Sequence, residues 1–219
     1  MGDIKDKTVA IIDNLIFFFF IALSLFLPIS NAVIESSFGV IISLSILIFF
    51  IKHISLSKIK TFFSYKINLY LLLFFLAIGL SIFNSGVLWR KSLGAWLFKW
   101  GEGILLFYFI QIFLSKNNIR VFVRVLVLST LVVSINGIYQ YIHGYGFIRH
   151  FTLMPARNLI AIRSTFPHYN NFGGFLSSIF FIVAFIELNK NKVNYFLTLK
   201  ILFLLLIISN LFLTYSRGA

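Results

Sequence analysis

The stretch FLTLKILFLLLIISNLFLTYSRGA, residues 196–219, indicates that this chain folds in a lipid bilayer. A helix that spans a bilayer needs roughly 20 mostly apolar residues, and the run from Phe196 to Leu213 is close to that length. The run is followed by Arg217, a permanently charged side chain. An arginine at a helix C-terminus can interact with the helix dipole and extend to the headgroups. The stretch therefore predicts a membrane helix and directs attention to the role of Arg217.

The composition of the whole chain agrees with a membrane environment. Of the 219 residues, 60% are hydrophobic and 11% are charged, whereas a soluble domain carries about 25% charged residues. The apolar runs are unbroken and lack the alternation of barrel strands, and lipid cannot satisfy an open backbone. The chain has no cysteine, which excludes disulfides and thiolate metal sites. These features predict an all-α polytopic membrane helix bundle.

Hydrophobic runs of spanning length divide the chain into about seven transmembrane helices. We treat residues 1–219 as one transmembrane domain. The predicted helices are Val9–Ile29, Ala32–Ile51, Ile67–Phe83, Ala95–Leu114, Val121–Ile142, Phe172–Leu188 and Phe196–Tyr215.

The distribution of basic residues predicts a cytoplasmic N-terminus. With that orientation the inner side carries twelve Lys and Arg residues and the outer side seven, as the positive-inside rule requires. The net charge of +13 does not indicate nucleic-acid binding, because the basic residues lie in short clusters between apolar runs. Seven basic residues are still many for exported loops. An anionic ligand at the outer face would explain them.

The longest polar segment in the second half of the chain is the outer loop, residues 143–171. Gly144 and Gly146 are expected to end the preceding helix, and Pro155 and Pro167 to stiffen the loop. The apolar patch Asn158–Ile162 suits a position in the membrane interface.

Two arginines stand beside helix ends on this predicted outer face, Arg163 before the sixth helix and Arg217 after the seventh. Guanidinium groups bind phosphoryl oxygens through two parallel hydrogen bonds, so the pair could hold a phosphate or pyrophosphate. Arg157 and Arg149 are nearby alternatives. The competing explanation is an interfacial loop that touches anionic lipid headgroups.

Three histidines of the loop, His143, His150 and His168, do not predict a metal site, because no carboxylate and no helical His pair accompanies them. His168 is a candidate general base, with packing at the interface as its ordinary role.

Polar residues inside the predicted helices form a separate group of candidates. Lys99 and Glu102 are spaced for an ion pair within one helix. Asn136 and Gln140 on the fifth helix should face the bundle interior rather than lipid.

Several short motifs resemble those of the O-antigen ligase and polymerase family. The segment RSTFPHYNNFGGFL, residues 163–176, is similar to the family's basic residue, Thr-Phe and Asn-Pro-Asn-like turn ahead of a helix. Asn170 matches the second Asn of that turn, and Tyr169 replaces its proline. The apolar helix ending in TYSRGA matches the family's Thr-x-Ser-Arg-Gly signature. Further matches are GIYQY, residues 137–141, and the weaker WRKSL, residues 89–93.

The resemblance implies a glycosyltransferase of the bacterial inner membrane. Its donor would be a glycan on undecaprenyl pyrophosphate at the periplasmic face, and its acceptor the lipid A core, another lipid-linked repeat or a protein. The family's chemistry implies no metal and no cofactor. Arg163 and Arg217 would bind the pyrophosphate. The family's arginine often lies slightly upstream of Arg163, which makes Arg157 the alternative.

The resemblance also implies a longer protein, because the family continues with further helices and a periplasmic loop that carries the catalytic base. We therefore expect this chain to be an N-terminal portion that is inactive alone. A transporter or lipid flippase subunit is the alternative function, although its polar groups should gather near mid-membrane and not at one rim. A non-catalytic membrane scaffold is a third.

Overall fold

The computed structural model describes residues 2–52, 65–84, 86–156, 159–185 and 193–216, and over these ranges the protein is all-α apart from one small hairpin. Residues 95–100 form a π-helical segment that joins α4 to α5, so residues 89–113 are one continuous helical region. The helices are α1 Gly2–Phe26, α2 Asn31–Lys52, α3 Lys66–Leu80, α4 Trp89–Gly94, α5 Gly101–Phe113, α6 Lys116–His143, α7 Tyr169–Phe185 and α8 Val193–Thr214. The strands are β1 Met154–Ala156 and β2 Leu159–Ala161.

All seven predicted helical regions are present among the described residues, with shifted ends. The fourth begins at Trp89 and not at Ala95, because the π-helical turn continues the helix and does not start it. The sixth begins at Tyr169 and is described to Phe185, so its predicted end at Leu188 lies outside the described residues. The described part of the chain contains five helices that are long and apolar enough to cross a membrane, and the protein is a multi-pass membrane protein. The cytoplasmic N-terminus stays a prediction.

The chain divides into two compact units. Unit 1 comprises Met1–Phe20 and Ser37–Arg120, and unit 2 comprises Ile21–Ser36 and Val121–Ala219. The prediction of one transmembrane domain over residues 1–219 is untested.

Unit 1 is held together by polar groups that bond across its helices. The Trp96 Nε1 donates to the Phe75 carbonyl at 2.8 Å, and its ring stacks on the Phe75 ring with centroids 4.5 Å apart. The Tyr108 hydroxyl donates to the Asn68 carbonyl at 2.9 Å. Lipid offers no partners for such groups, so the helices supply them to each other.

Unit 2 shows an inside-out distribution of polarity along α6. The buried face carries small or polar side chains, including Thr130, Ser134, Asn136 and Gln140. The opposite face exposes large apolar residues such as Leu128, which is 60% exposed. A helix with its apolar face outward and its polar face buried suits lipid, because small and polar residues mediate helix contacts there.

The core of unit 2 lies between α6, α7 and α8. Phe172, Leu176, Ile179 and Val183 follow one face of α7 at helical spacing and pack with residues of the two neighbouring helices. Lys200 near the start of α8 donates to the Ala184 carbonyl at the end of α7, so the two helices are antiparallel neighbours at that point.

The contact between α6 and α8 depends on Gly137. A Cβ placed on this glycine would lie 2.2 Å from the Asn210 Oδ1 and 3.2 Å from the Phe172 ring. The buried Asn210 Oδ1 has no hydrogen-bond partner among the described residues. Gly137 therefore allows a polar side chain of α8 to approach the backbone of α6.

We expect Gly137→Ala to lower the free energy of unfolding by about 1–3 kcal/mol. The added methyl would overlap the side-chain amide of Asn210, which is held by a hydrogen bond to the Leu206 carbonyl. The matched control is Gly174→Ala on α7, where a Cβ meets nothing within 4 Å and alanine should be neutral or stabilising. Thermal unfolding in detergent, followed by circular dichroism, measures both. Equal melting temperatures for the two variants would contradict the close approach.

Candidate functional site

The outer loop is anchored to the membrane helices by the buried side chain of Gln140. Its Oε1 accepts hydrogen bonds from the backbone N–H groups of Arg163 and Ser164, at 2.9 and 2.8 Å. Its Nε2 donates to the Phe151 carbonyl at 2.7 Å. Two successive N–H groups that converge on one oxygen form a small anion-binding concavity, here filled by the amide oxygen. One helical side chain thus holds two distant parts of the loop.

A second anchor is Asn136, one turn earlier on the same face of α6. Its Nδ2 donates to the Ser164 Oγ at 2.9 Å, and its Oδ1 accepts from the Ile148 N–H at 3.1 Å. The Ser164 hydroxyl in turn donates to the Val133 carbonyl at 2.7 Å. These bonds hold Ser164 at a φ of 48°, a backbone conformation that non-glycine residues adopt at a cost of about 1–3 kcal/mol. The prediction that Asn136 and Gln140 lie in the interior is confirmed, since both are fully buried.

Three segments of unit 2 meet at the end where α6 stops. Gly144 follows α6 with a φ of 83°, which confirms the predicted helix break. The Ile162 N–H donates to the Leu213 carbonyl near the end of α8 at 3.1 Å. The Thr165 hydroxyl donates to the Pro28 carbonyl in the α1–α2 connection. The predicted topology places all three segments on the outer side, and the structure brings them together.

The predicted interfacial patch is part of a short antiparallel hairpin. In β1 and β2, Ala156 pairs with Leu159, and Met154 pairs with Ala161. Ala161 and Ile162 are fully buried, whereas Leu159 and Ile160 are 50% and 61% exposed. Part of the patch therefore packs in the core of unit 2, and only its first described residues are available to the interface.

Arg163 is placed at the surface by this framework. Its Nε donates to the Thr152 carbonyl at 3.0 Å and its Nη1 to the Pro167 carbonyl at 3.1 Å. Its guanidinium carbon lies 4.6 Å from the centre of the Phe151 ring. These contacts orient the side chain without neutralising it, because carbonyl oxygens and a ring carry no net charge.

Arg149 approaches the same ring, with its guanidinium carbon 4.8 Å from the centre. Its Nη1 donates to the carbonyls of Ile29 and Thr165, at 3.1 and 3.3 Å. The arginine that the structure brings beside Arg163 is therefore Arg149.

Three of the predicted candidate side chains cannot be placed from the described part of the chain. Arg157 and Arg217 lie outside the described residues, as does the side chain of Lys99, so its pairing with Glu102 is untested. Among the residues that the structure describes, no cluster of His, Asp and Glu is arranged to hold a metal ion.

His168 acts as the N-terminal cap of α7. Its Nδ1 accepts a hydrogen bond from the Asn170 N–H at 3.1 Å, and its carbonyl accepts from Asn171 and Phe172. A neutral ring that accepts at Nδ1 carries its proton on Nε2 and has no free lone pair for a base. The geometry favours a structural role for His168, while its role as a general base remains a hypothesis. Asn170 contributes its backbone N–H in the first turn of the helix.

The sequence did not indicate Phe151, which contacts both arginines, or Thr165, which ties the loop to the α1–α2 connection. Phe151 is one of 29 phenylalanines in the chain, and no local pattern distinguishes it. The sequence did not indicate the cap at His168 either, because the predicted helix begins at Phe172 and histidine is not among the usual N-cap residues.

Comparisons with known proteins identify no relative. No family model matches the chain, no curated protein matches it, and no solved structure matches it.

We expect Gln140→Leu to destabilise the loop, because it leaves the backbone N–H groups of Arg163 and Ser164 without their partner, at about 1–3 kcal/mol for each buried group. The Phe151 carbonyl keeps a second hydrogen bond, from the Gly146 N–H. Amide hydrogen exchange of a peptide covering residues 160–166 should become faster. Gln111→Leu is the matched control, since Gln111 is exposed on α5. Unchanged protection in the Gln140 variant would show that the loop is held by other contacts.

A cap role for His168 predicts different effects of two substitutions. His168→Ala removes the acceptor of a helix N-terminus and should cost about 1 kcal/mol of stability, whereas His168→Asn retains one and should resemble the wild type. Thermal unfolding of the two variants measures the difference. If both variants lose the same stability, the Nδ1 hydrogen bond contributes nothing as a cap.

Proposed function

We propose that this protein binds the pyrophosphate of an undecaprenyl-linked glycan at the outer face of a bacterial inner membrane. It would serve there as part of a glycosyltransferase of the O-antigen ligase and polymerase type. The observation that carries the proposal is Arg163, whose cationic group is held rigidly on the outer loop without a carboxylate partner among the described residues. Donors fixed where negative charge develops on a leaving group contribute most to a rate.

The first support is the charge of the loop. Residues 143–168 contain three arginines and three histidines and no Asp or Glu. A structural ion-pair network would need carboxylates, so stability alone gives no reason for this excess. A polyanionic ligand would balance it.

The second support is the rigidity of the site. The Arg163 backbone N–H is bonded to a fully buried side chain, Gln140, and the Arg163 side chain has carbonyl acceptors on both sides of it. A binding group that is already ordered loses little conformational entropy when the ligand arrives. This arrangement suits a site that must hold a leaving group in a fixed place.

The third support is sequence order. The Gly-x-x-Gln motif has a physical reason in this fold, because Gly137 allows α8 to approach and Gln140 fixes the backbone of Arg163. Gln140 and the arginine motif, which are separate motifs in the resemblance, are joined by hydrogen bonds. Arg217 would be the second pyrophosphate ligand by the same resemblance.

The test is binding of undecaprenyl pyrophosphate to the full chain in phosphatidylcholine nanodiscs. Undecaprenol, which has the same tail and no phosphate, should bind much more weakly. Arg163→Lys keeps the charge and loses the two-pronged geometry, so we expect roughly tenfold weaker binding, with Arg217→Lys acting in the same direction.

Arg124→Lys is the matched control, because Arg124 is exposed on α6 on the predicted cytoplasmic side. Equal binding of the phosphorylated and unphosphorylated prenols would refute recognition of the pyrophosphate. Transport of a labelled undecaprenyl pyrophosphate across proteoliposomes that contain the chain would favour the flippase alternative.

A further inference from the structure

We propose that Arg149 and Arg163 form one binding site for a single phosphoryl group. The Phe151 ring, which contacts both guanidinium groups, positions them for it. The proposal rests on the proposed function only for the carrier of that group, a prenyl pyrophosphate. The site itself rests on the geometry of the two arginines.

Arg149 and Arg163 bring two like charges close together. Neither guanidinium carbon is more than 4.8 Å from the centre of the Phe151 ring, so the two lie within about 10 Å of each other. This separation is comparable to the Debye length of about 8–10 Å at physiological ionic strength, so their repulsion is only partly screened. A bound anion would convert the repulsion into attraction.

The two arginines have no carboxylate partner in the described part of unit 2. Residues 144–168 contain no Asp or Glu, and the carboxylates in the sequence of unit 2 are Glu35 and Glu187. Glu35 is exposed and forms no ion pair among the described residues. The two guanidinium groups therefore face carbonyl oxygens, an aromatic ring and neutral side chains within the described part of the unit.

Both guanidinium groups keep N–H donors that the described contacts do not use. A guanidinium group has five N–H donors. The described contacts use Nη1 of Arg149 for two carbonyls, and Nε and Nη1 of Arg163 for one carbonyl each. The Nη2 groups of both arginines have no acceptor in the described part of the chain. Contact with a ring engages the face of a guanidinium and leaves its edge open for oxygen atoms.

The charge and spacing of the two guanidinium groups favour one class of anion. Two guanidinium groups within about 10 Å of each other match the several oxygens and the multiple charge of a phosphoryl group better than the two oxygens and single charge of a carboxylate. The site also lies where the ends of α6 and α8 and the α1–α2 connection converge. At such a level the phosphoryl group could come from a prenyl pyrophosphate or from the headgroup of an anionic phospholipid.

Arg149 also has an evident structural role, since it links the loop to the carbonyl of Ile29. A purely structural arginine would affect stability without ligand and leave the affinity for an anion unchanged. A ligand-binding arginine would affect the affinity, and its effect would depend on the partner arginine. The experiment has to separate these two behaviours.

The experiment is a double-substitution cycle on the full chain in phosphatidylcholine nanodiscs, with inorganic pyrophosphate as the probe. Arg149→Gln and Arg163→Gln should each weaken binding roughly ten- to hundredfold, the usual effect of losing charge-assisted hydrogen bonds. The double variant should lose much less than the product of the two single effects, because both groups bind one anion.

Arg90→Gln is the matched control, because Arg90 also lies over an aromatic ring, Trp89, but belongs to unit 1. If Arg149→Gln unfolds, Arg149→Lys retains the charge and should weaken binding about tenfold. A lower melting temperature without ligand, together with unchanged pyrophosphate affinity, would overturn the proposal. Multiplicative effects of the two substitutions would also overturn it, since they indicate two separate sites.

Two further probes identify the source of the phosphoryl group and separate this proposal from the proposed function. If undecaprenyl pyrophosphate binds more tightly than pyrophosphate and depends on both arginines, both proposals are supported. If its binding depends on Arg163 and not on Arg149, the shared site fails while the proposed function survives. If phosphatidylglycerol in the nanodisc competes with pyrophosphate and undecaprenyl pyrophosphate has no advantage over it, the shared site stands and the proposed function fails.

Discussion

The buried side-chain amide of Gln140 is the contact on which the outer end of unit 2 depends. Where the loop packs against the helices its backbone is removed from water, so each buried backbone group there needs a partner from the protein. Gln140 supplies such partners to the backbone at Phe151, Arg163 and Ser164 at once. The position of Arg163 and of the ring beneath it therefore follows from one side chain on a membrane helix.

This dependence explains the polarity of α6. The buried face of the helix carries Ser, Thr, Asn and Gln side chains, which would be costly if they faced lipid. Most of them are hydrogen-bonded within the protein, as when the Ser129 hydroxyl donates to the Leu25 carbonyl at 2.9 Å. The Ser134 Oγ has no partner among the described residues. Asn136 and Gln140, on the same face of the helix, order the loop. Folding of the helices and formation of the site are consequently parts of one process.

The two arginine side chains of the site are less completely hydrogen-bonded than the residues that hold the loop in place. The backbone of Arg163 and Ser164 is bonded within the protein, and so are the side chains of Asn136 and Gln140. The guanidinium groups of Arg149 and Arg163 instead keep unused donors and uncompensated charge. Like charges held together reduce stability, and proteins retain such local costs mainly at functional sites. This contrast marks the loop as a place of binding.

The sequence by itself determined the helical class, the approximate helix positions and the burial of Asn136 and Gln140, because lipid imposes length, hydrophobicity and polar satisfaction on every spanning segment. It also singled out Arg163 through motif resemblance. It did not reveal Phe151, the pairing of Arg149 with Arg163, or the cap formed by His168. The contacts of Phe151, Arg149 and Arg163 join residues whose proximity is set by how the loop folds back onto α6 and toward the start of α2, and no local periodicity encodes that path. The His168 cap is local, but histidine is not among the usual N-cap residues. Tertiary structure alone decided that Arg149 and Arg163, the two arginines of the loop among the described residues, lie beside one ring.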